Sequence, residues 1–384
     1  AVAVIIENNL DNYNDELVYI KVKDSRKAMA LIANEFYNNP LDDLKLIGVT
    51  GTNGKTTTTY LIKSILEEAN YNVGLVGTIG NFIVDKELPS ARTTPNSLEL
   101  FKLFNKMVKK DIDYVVMEVS SHALDLKRVF SMKFDIAVYT NISQDHLDYH
   151  KSLEKYLEVK SRLFKQLKKD GYSVINIDDE HHNKIVESSN GNILSYSIKN
   201  ESDFKAEKIK LKAKGVSFSI NKLSQRINLN ITGKFNVYNA MAAFAVGSAL
   251  DIEKKKIING LERVKGVAGR FEMIKEGQDF TVVVDYAHTP DGMENVLTSI
   301  EEIPGNNIII VFGCGGDRDK DKRPLMGKVA AKYGDYIIIT TDNPRSENPE
   351  EIINEIENGV SNITDQKYIN IVDRKEAINF AGET

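Results

Sequence analysis

A glycine-rich segment, Gly48-Val-Thr-Gly-Thr-Asn-Gly-Lys55-Thr56-Thr57, constrains this chain more than any other stretch. Upstream, Leu46–Thr50 reads as a buried strand. Downstream, Thr56–Ala69 reads as a helix with Leu61, Ile62, Ile65, Leu66 and Ala69 on one face. A strand, a glycine loop and a helix in that order form a phosphate-binding loop. Glycines let backbone N–H groups curl round an anion, and the helix N-terminus faces it. Lys55 is placed to reach the β/γ-phosphates and Thr56 to ligate Mg²⁺. The strict spacing puts glycine where this chain has Val49, and Gly48 stands one place early, so the loop is a variant. The plainer alternative is a glycine-rich turn with a chance Lys-Thr, which the strand–loop–helix context argues against.

The same rhythm continues. Tyr114–Val119, Asp135–Thr140 and Tyr172–Ile177 read as strands, and Leu153–Leu167 as a helix. Alternation of this kind predicts an α/β fold: a mostly parallel, P-loop ATPase-like sheet covered by helices. From about Ile193 to Ile231 short alternating runs with a turn at Lys214-Gly215 predict antiparallel strands. Helices follow at Val237–Leu250 and Glu253–Arg263. Lys265–Gly269 reads as a hinge before a second, Rossmann-like α/β unit. That unit is expected to hold strands at Thr281–Val284, Asn307–Phe312 and Tyr336–Thr341. Its helices are expected at Pro290–Ile300, Pro324–Tyr333 and Pro349–Val360.

With 384 residues, two or three domains are expected. Charged residues make up 27% with a net charge of only −5, which leaves no basic footprint for nucleic acid. The single cysteine, Cys314, excludes an internal disulfide framework and fits a reducing compartment. No apolar run is long enough to insert in a membrane. The expected protein is a cytoplasmic monomer. Both ends read as cut: Ala1 lies inside a strand-like run and Thr384 follows a helical pattern, so a fragment is expected.

Further motifs appear in order. They are Arg92-Thr93-Thr94-Pro95, Glu118-Val-Ser-Ser-His122, Asn141-Ile-Ser-Gln-Asp-His-Leu-Asp-Tyr-His150, Gly269-Arg-Phe-Glu272, Asp285-Tyr-Ala-His-Thr-Pro-Asp291, Gly313-Cys-Gly-Gly-Asp-Arg-Asp319 and Asp342-Asn-Pro-Arg345. Together with the loop, this set resembles the Mur ligases of bacterial cell-wall synthesis, from Asp24-Ser25-Arg26 to the last residues. The resemblance implies an ADP-forming ligase. It would join the D-Glu γ-carboxylate of a UDP-N-acetylmuramoyl-dipeptide to a diamino acid, meso-diaminopimelate, through an acyl phosphate. It also implies three parts: 1–42, the tail of a UDP-binding N-terminal domain; 43–266, the central ATP-binding domain; and 267–384, the amino-acid-binding domain, with both outer domains truncated.

The resemblance assigns ATP contacts to Gly51, Thr52, Asn53, Gly54, Lys55, Thr56, Thr57, Asn239, Arg270 and Asp285. It makes Glu118 and His146 ligands of Mg²⁺ beside Thr56. On spacing alone both would be ordinary loop residues, and Asn239 a helix-start cap. It also makes Lys160 a lysine carbamylated by CO₂ that helps hold the metal. From spacing alone Lys160 is a solvated helix lysine. Thr93, Thr94, Ser120 and Arg128 match acceptor contacts, while Leu126 departs from a position usually polar in the family. His288 matches a supporting position.

Choice of amino acid falls to Arg318, Asp342, Asn343, Pro344 and Arg345. Diaminopimelate carries one carboxylate more than lysine, and a guanidinium can hold it with two hydrogen bonds. Such a contact is worth roughly 1.5–3 kcal/mol, or about 10- to 150-fold in selectivity. The alternative is that Arg345 merely caps its loop. Two rival functions are the same ligase using L-lysine and a folylpolyglutamate-synthase-like ligase. A third is a nucleotide-binding regulatory module, which would be expected to lack Lys160, His146 or Arg270.

Overall fold

The computed structural model describes residues 2–212, 215–221, 223, 225–301, 307–361 and 367–384. Two compact units emerge. One comprises Ala1–Thr140, Leu157–Lys205 and Asn239–Leu261; the other Asn141–Tyr156, Ala206–Tyr238 and Glu262–Thr384.

In the first unit, β1 (Ala3–Ile6) and β2 (Val18–Lys21) form a small parallel ribbon. The helix Ser25–Phe36 follows, its first turn capped by Asp24, which accepts a hydrogen bond from the Lys27 N–H. The main sheet contains β3 (Lys45–Thr50), β4 (Val73–Val76), β5 (Asn81–Ile83), β6 (Lys86–Leu88), β7 (Tyr114–Glu118), β8 (Phe134–Tyr139), β9 (Leu167–Asn176) and β10 (Asn192–Ser197). Their order is β10-β9-β8-β3-β7-β4-β5-β6, parallel except for the β4–β5–β6 meander. Strands buried on both faces need unbroken apolar runs, and Leu46, Ile47, Val49, Val115, Val116 and Met117 supply them. From β3 the chain crosses to β4, returns to β7 beside β3, then places β8 on the other flank. That reversal opens a crevice at the carboxyl ends of β3, β7 and β8.

The helix Lys55–Glu68 buries Leu61, Ile62, Ile65 and Leu66 against the sheet. The helix Lys254–Arg263 approaches it closely through Gly260, where an added Cβ would lie 2.6 Å from the Ile65 Cα. The helix Ser97–Val108 opens with a capping box between Asn96 and Glu99.

Two expectations need correction. The helix predicted over Leu153–Leu167 ends at Ser161, a short 3₁₀ turn fills Phe164–Gln166, and β9 already begins at Leu167. An ion pair between Lys168 and Asp135, which also accepts from the Leu46 N–H, ties that early start of β9 to β8 and β3. The second correction concerns β10, which pairs in parallel with β9; antiparallel pairing starts only beyond it.

In the second unit, β11 (Phe204–Lys212), β12 (Gly215–Ile220) and β13 (Arg226–Leu229) run antiparallel, while the first two residues of β11 extend β10 in parallel. Lys214 of the predicted turn lies outside the described residues. Gly215 has φ +121°, and a Cβ there would lie 2.2 Å from the Leu229 carbonyl oxygen, so no other residue fits. The strands β14 (Glu272–Ile274) and β15 (Val282–Val284) make a separate antiparallel ribbon. Last come β16 (Ile309–Phe312), β17 (Tyr336–Ile339) and β18 (Lys367–Asn370), a parallel sheet in chain order. Ile310, Phe312, Met326, Ala330, Ile337, Ile339, Ile352 and Ile356 make its core with the helices Lys322–Tyr333 and Pro349–Ser361. Among the described residues no helix is long and apolar enough to cross a membrane.

Candidate active site

The glycine loop lies where the crevice opens. Gly51 (φ +152°) and Gly54 (φ +87°) take conformations that side chains disfavour. Gly54 is the N-cap of the helix Lys55–Glu68 and gives it no side-chain cap. The positive end of the helix dipole thus faces the loop, where an anion is favoured. Lys55 folds back along the loop, donating to the carbonyls of Gly51 (2.9 Å) and Thr52 (2.8 Å). Thr140 donates to the Asn53 carbonyl at 2.7 Å and is itself held by Asn176.

Lys160 departs from its helix-spacing reading. It is only 1% exposed, and its Nζ donates to the Gly51 carbonyl at 2.7 Å. A solvated helix lysine would do neither. Asn239 is no helix-start cap either. It is 5% exposed within the helix Lys234–Ala249, accepts from the Thr58 hydroxyl, and its Oδ1 would lie 2.4 Å from a Cβ at position 54.

Glu118 ends β7 fully buried. Its Oε2 accepts from the hydroxyls of Thr56 and Thr78, each at 3.1 Å, and its Oε1 from the Thr78 N–H at 2.8 Å. Gly77 makes this approach possible, since a Cβ there would lie 2.5 Å from Oε1. The Thr78 hydroxyl also meets that of Thr93 at 3.0 Å. Thr94 donates to the Glu118 carbonyl and accepts from the Ser120 N–H, and Arg128 donates to the Thr94 carbonyl. Thr56, Glu118, Thr93, Thr94, Ser120 and Arg128 are thus brought into one hydrogen-bonded chain. Thr78 was missed from sequence, although Gly77-Thr78-Ile79-Gly80 directly after a strand was a usable signal. Thr56 and Glu118 offer oxygen ligands, the kind a hard cation such as Mg²⁺ takes. Among the described residues no three His, Cys, Asp or Glu side chains gather closely enough to hold a metal by themselves.

In the second unit, His146 has φ +54°, and its N–H donates to Asp145 Oδ1 at 2.9 Å. Asp145, also missed from sequence, is buried. Its Oδ2 lies 3.4 Å from His146 Nε2 and 3.5 Å from His288 Nε2. Burial raises its carboxyl pKa, but the His288 hydrogen bond and the charges of His146, His288 and Lys322 outweigh that and hold it well below the usual range. Arg270 stacks on the Tyr286 ring at 4.6 Å. Asp285 accepts from the Phe271 and Ala287 N–H groups, both at 2.7 Å, so it clasps the turn that carries Arg270. Burial pushes the Asp285 carboxyl up, against those two bonds.

Arg345 is exposed, and its Nη1 donates to the Gly316 carbonyl at 2.5 Å, so part of its guanidinium does cap the loop. Arg318 donates to the Asp317 carbonyl at 2.9 Å. Asp342, Asn343 and Pro344 belong to the same loop as Arg345, at the carboxyl end of β17. Nearby, Glu347 pairs with Arg323 and Lys320. Arg323 above all pushes its carboxyl down to about 2. Because the folded pKa lies below an unfolded value of about 4.3, the stabilisation is complete above that value and lost as pH falls through about 2. The melting-temperature gap between wild type and Glu347→Gln is expected to be widest at neutral pH and to close between about pH 4.3 and 2. A gap that stays constant there would contradict the pairing.

A phosphate loop on a parallel sheet, with a buried carboxylate against its threonine, describes a nucleotide-using enzyme. The Mur ligase middle domain family matches residues 49–247, and the family described as Mur ligase, glutamate ligase domain matches residues 269–383. The chain belongs to the Mur ligase family. A UDP-N-acetylmuramoyl-L-alanyl-D-glutamate–2,6-diaminopimelate ligase of Caldanaerobacter subterraneus subsp. tengcongensis is 52% identical over 383 residues, 99% of this chain and 78% of that protein. A solved structure of a ligase of the same name superposes with TM-score 0.69 at 33% identity, covering all of this chain and 78% of the other. The Mycobacterium tuberculosis folylpolyglutamate synthase complexed with ADP shares the fold, with TM-score 0.79 at 17% identity over 94% of this chain and 87% of its own.

Proposed function

We propose that this chain catalyses ATP-dependent amide formation between the D-Glu γ-carboxylate of UDP-N-acetylmuramoyl-L-alanyl-D-glutamate and 2,6-diaminopimelate, a step in making peptidoglycan precursor. The observation that carries the reading is the double engagement of Glu118. It binds Thr56 of the phosphate loop on one side and Thr78, next to Thr93, on the other. Nucleotide and acceptor would thus meet at one carboxylate.

The acceptor carboxylate attacks the γ-phosphate, giving an acyl phosphate and ADP. The incoming amine then attacks the acyl carbon, and phosphate leaves. Two anions must approach, and Lys55 and Arg270 would lower that repulsion. Thr56, Glu118, His146 and a carbamate on Lys160 would hold Mg²⁺, which would supply further charge neutralisation. Burial of Lys160 against the loop supports the modification, because an uncharged or anionic group suits that place beside a metal better than an ammonium does. Thr94, Ser120 and Arg128 would hold the acceptor, and Asn239 the adenine. Arg318, Asp342, Asn343 and Arg345 would hold the amino acid. The reading divides the chain into the remnant of a UDP-binding domain at 1–42, an ATP-binding part at 43–266 and a truncated amino-acid-binding part at 267–384. It makes the protein a cytoplasmic monomer.

The test is phosphate release with ATP, the UDP-muramoyl-dipeptide and each amino acid in turn. Diaminopimelate is expected to be preferred over L-lysine by about 10-fold or more, and Arg345→Ala to remove most of that preference. Intact mass of the same sample should show a carboxyl group added to Lys160. Equal use of lysine would end the specificity claim, and no stimulation by any amine would end the ligase reading.

A further inference from the structure

Two loops meet at the carboxyl ends of β16 and β17: 313–319, carrying Arg318, and 342–348, carrying Arg345. Each contains a non-glycine residue in the left-handed region, Asp317 (φ +51°) and Arg345 (φ +50°). Such conformations persist only where the surroundings impose them. Here the imposing contacts are dense. The Gly316 N–H donates to the Asn343 carbonyl at 2.9 Å, and the Arg345 guanidinium donates back to the Gly316 carbonyl. Asp317 accepts from the Ser346 N–H and hydroxyl at 3.2 and 2.7 Å, while its own N–H donates to Glu347 Oε1 at 2.5 Å. A Cβ on Gly316 would lie 1.9 Å from the Pro344 carbonyl oxygen.

Beneath both loops lies Arg323, in the first turn of the helix Lys322–Tyr333 and 0% exposed. It holds Glu347 with two hydrogen bonds, at 2.8 and 3.0 Å, and Glu355 with a third at 2.7 Å. Lys320 adds a second cation on Glu347 at 3.0 Å. Among the described residues the Arg323 Nε has no partner, and the pairing described here is made by its two Nη groups. Removing one member of a buried ion pair leaves the other uncompensated, and the structure around it must give way.

We propose that Arg323 and Glu347 are positioning residues that set the direction of Arg318 and Arg345 and thereby decide which diamino acid is accepted. The inference rests on the ligase reading above. Neither residue needs to touch substrate to do this. Arg323 fixes Glu347, Glu347 fixes the Asp317 backbone, and the Asp317–Ser346 contacts fix the turn that aims Arg345. Lysine could not replace Arg323, because it has the charge but lacks the fork that spans two carboxylates.

The experiment uses Arg323→Lys and Glu347→Gln in the complete polypeptide, with steady-state phosphate release measured against diaminopimelate and L-lysine. The expected result is a KM for diaminopimelate raised about 10-fold or more, with the KM for ATP within about 2-fold of wild type. The diaminopimelate-to-lysine preference should fall by a similar factor. Ser346→Ala, an exposed change that removes a single hydroxyl contact, keeps the test open if the buried variants fail to fold. It is expected to raise the same KM by about 3-fold. Cooperatively melting variants with unchanged KM and preference would overturn the proposal. So would a uniform fall in kcat with preference intact. A wild-type protein that releases no phosphate with either amine would instead remove the ligase reading, and this inference with it.

Discussion

Replacing Lys55 with methionine is expected to lower ATP-dependent phosphate release by roughly 10²- to 10³-fold, the usual loss when one preorganised charge is removed from a transition state. Methionine keeps much of the length and apolar stem. The loop should keep its shape, because the Gly51 carbonyl is also held by Lys160 and the Asn53 carbonyl by Thr140. What disappears is the cation, which here donates to the Gly51 and Thr52 carbonyls and would turn toward phosphate oxygens when nucleotide binds. The check is kcat at saturating substrates beside a thermal melt. Turnover within about 3-fold of wild type would mean that the loop does not bind the reacting phosphates.

Gly54→Ala should be nearly as damaging, for a different reason. At φ +87° an alanine pays a backbone penalty, and its Cβ would stand 2.4 Å from Asn239 Oδ1. Asn239 is buried and held by Thr58, so it cannot step aside without losing that bond. Strain and clash together should cost about 2–3 kcal/mol of stability. ATP affinity should fall by about 10-fold or more, because the displaced asparagine borders the same loop. Gly266→Ala is the control: among the described residues nothing lies within 4 Å of its added Cβ, and it should melt like wild type. If both variants melt alike, the close contact at Gly54 is not real.

Much of this was legible in the amino-acid order because the informative signals are local. The strand before Gly51 and the helix after Gly54 follow from period and composition. What escaped depends on contacts distant in the chain. Lys160 reads as solvated because that is the usual place for a lysine. Yet its neighbours three and four residues away, Tyr156, Leu157, Leu163 and Phe164, are all apolar and buried, so the spacing itself set Lys160 on the inner face. Thr78 meets Glu118 across 40 residues: the flanking glycines 77 and 80 mark its loop, but no local pattern names the partner. Alternation at Ile193–Ser197 could not say whether a strand is parallel or antiparallel, since either has period two. The helix Ser97–Val108 is a different matter: its capping box was present in Asn96 and Glu99 and simply went unread.

The tie from Lys160 to Gly51 has a consequence for the carbamate proposed above. To take up CO₂, the amine must first surrender its charge, then exchange a second hydrogen for the carboxyl group. One hydrogen stays on the nitrogen. That last hydrogen can keep its grip on the Gly51 oxygen, so loading and unloading would leave the loop standing.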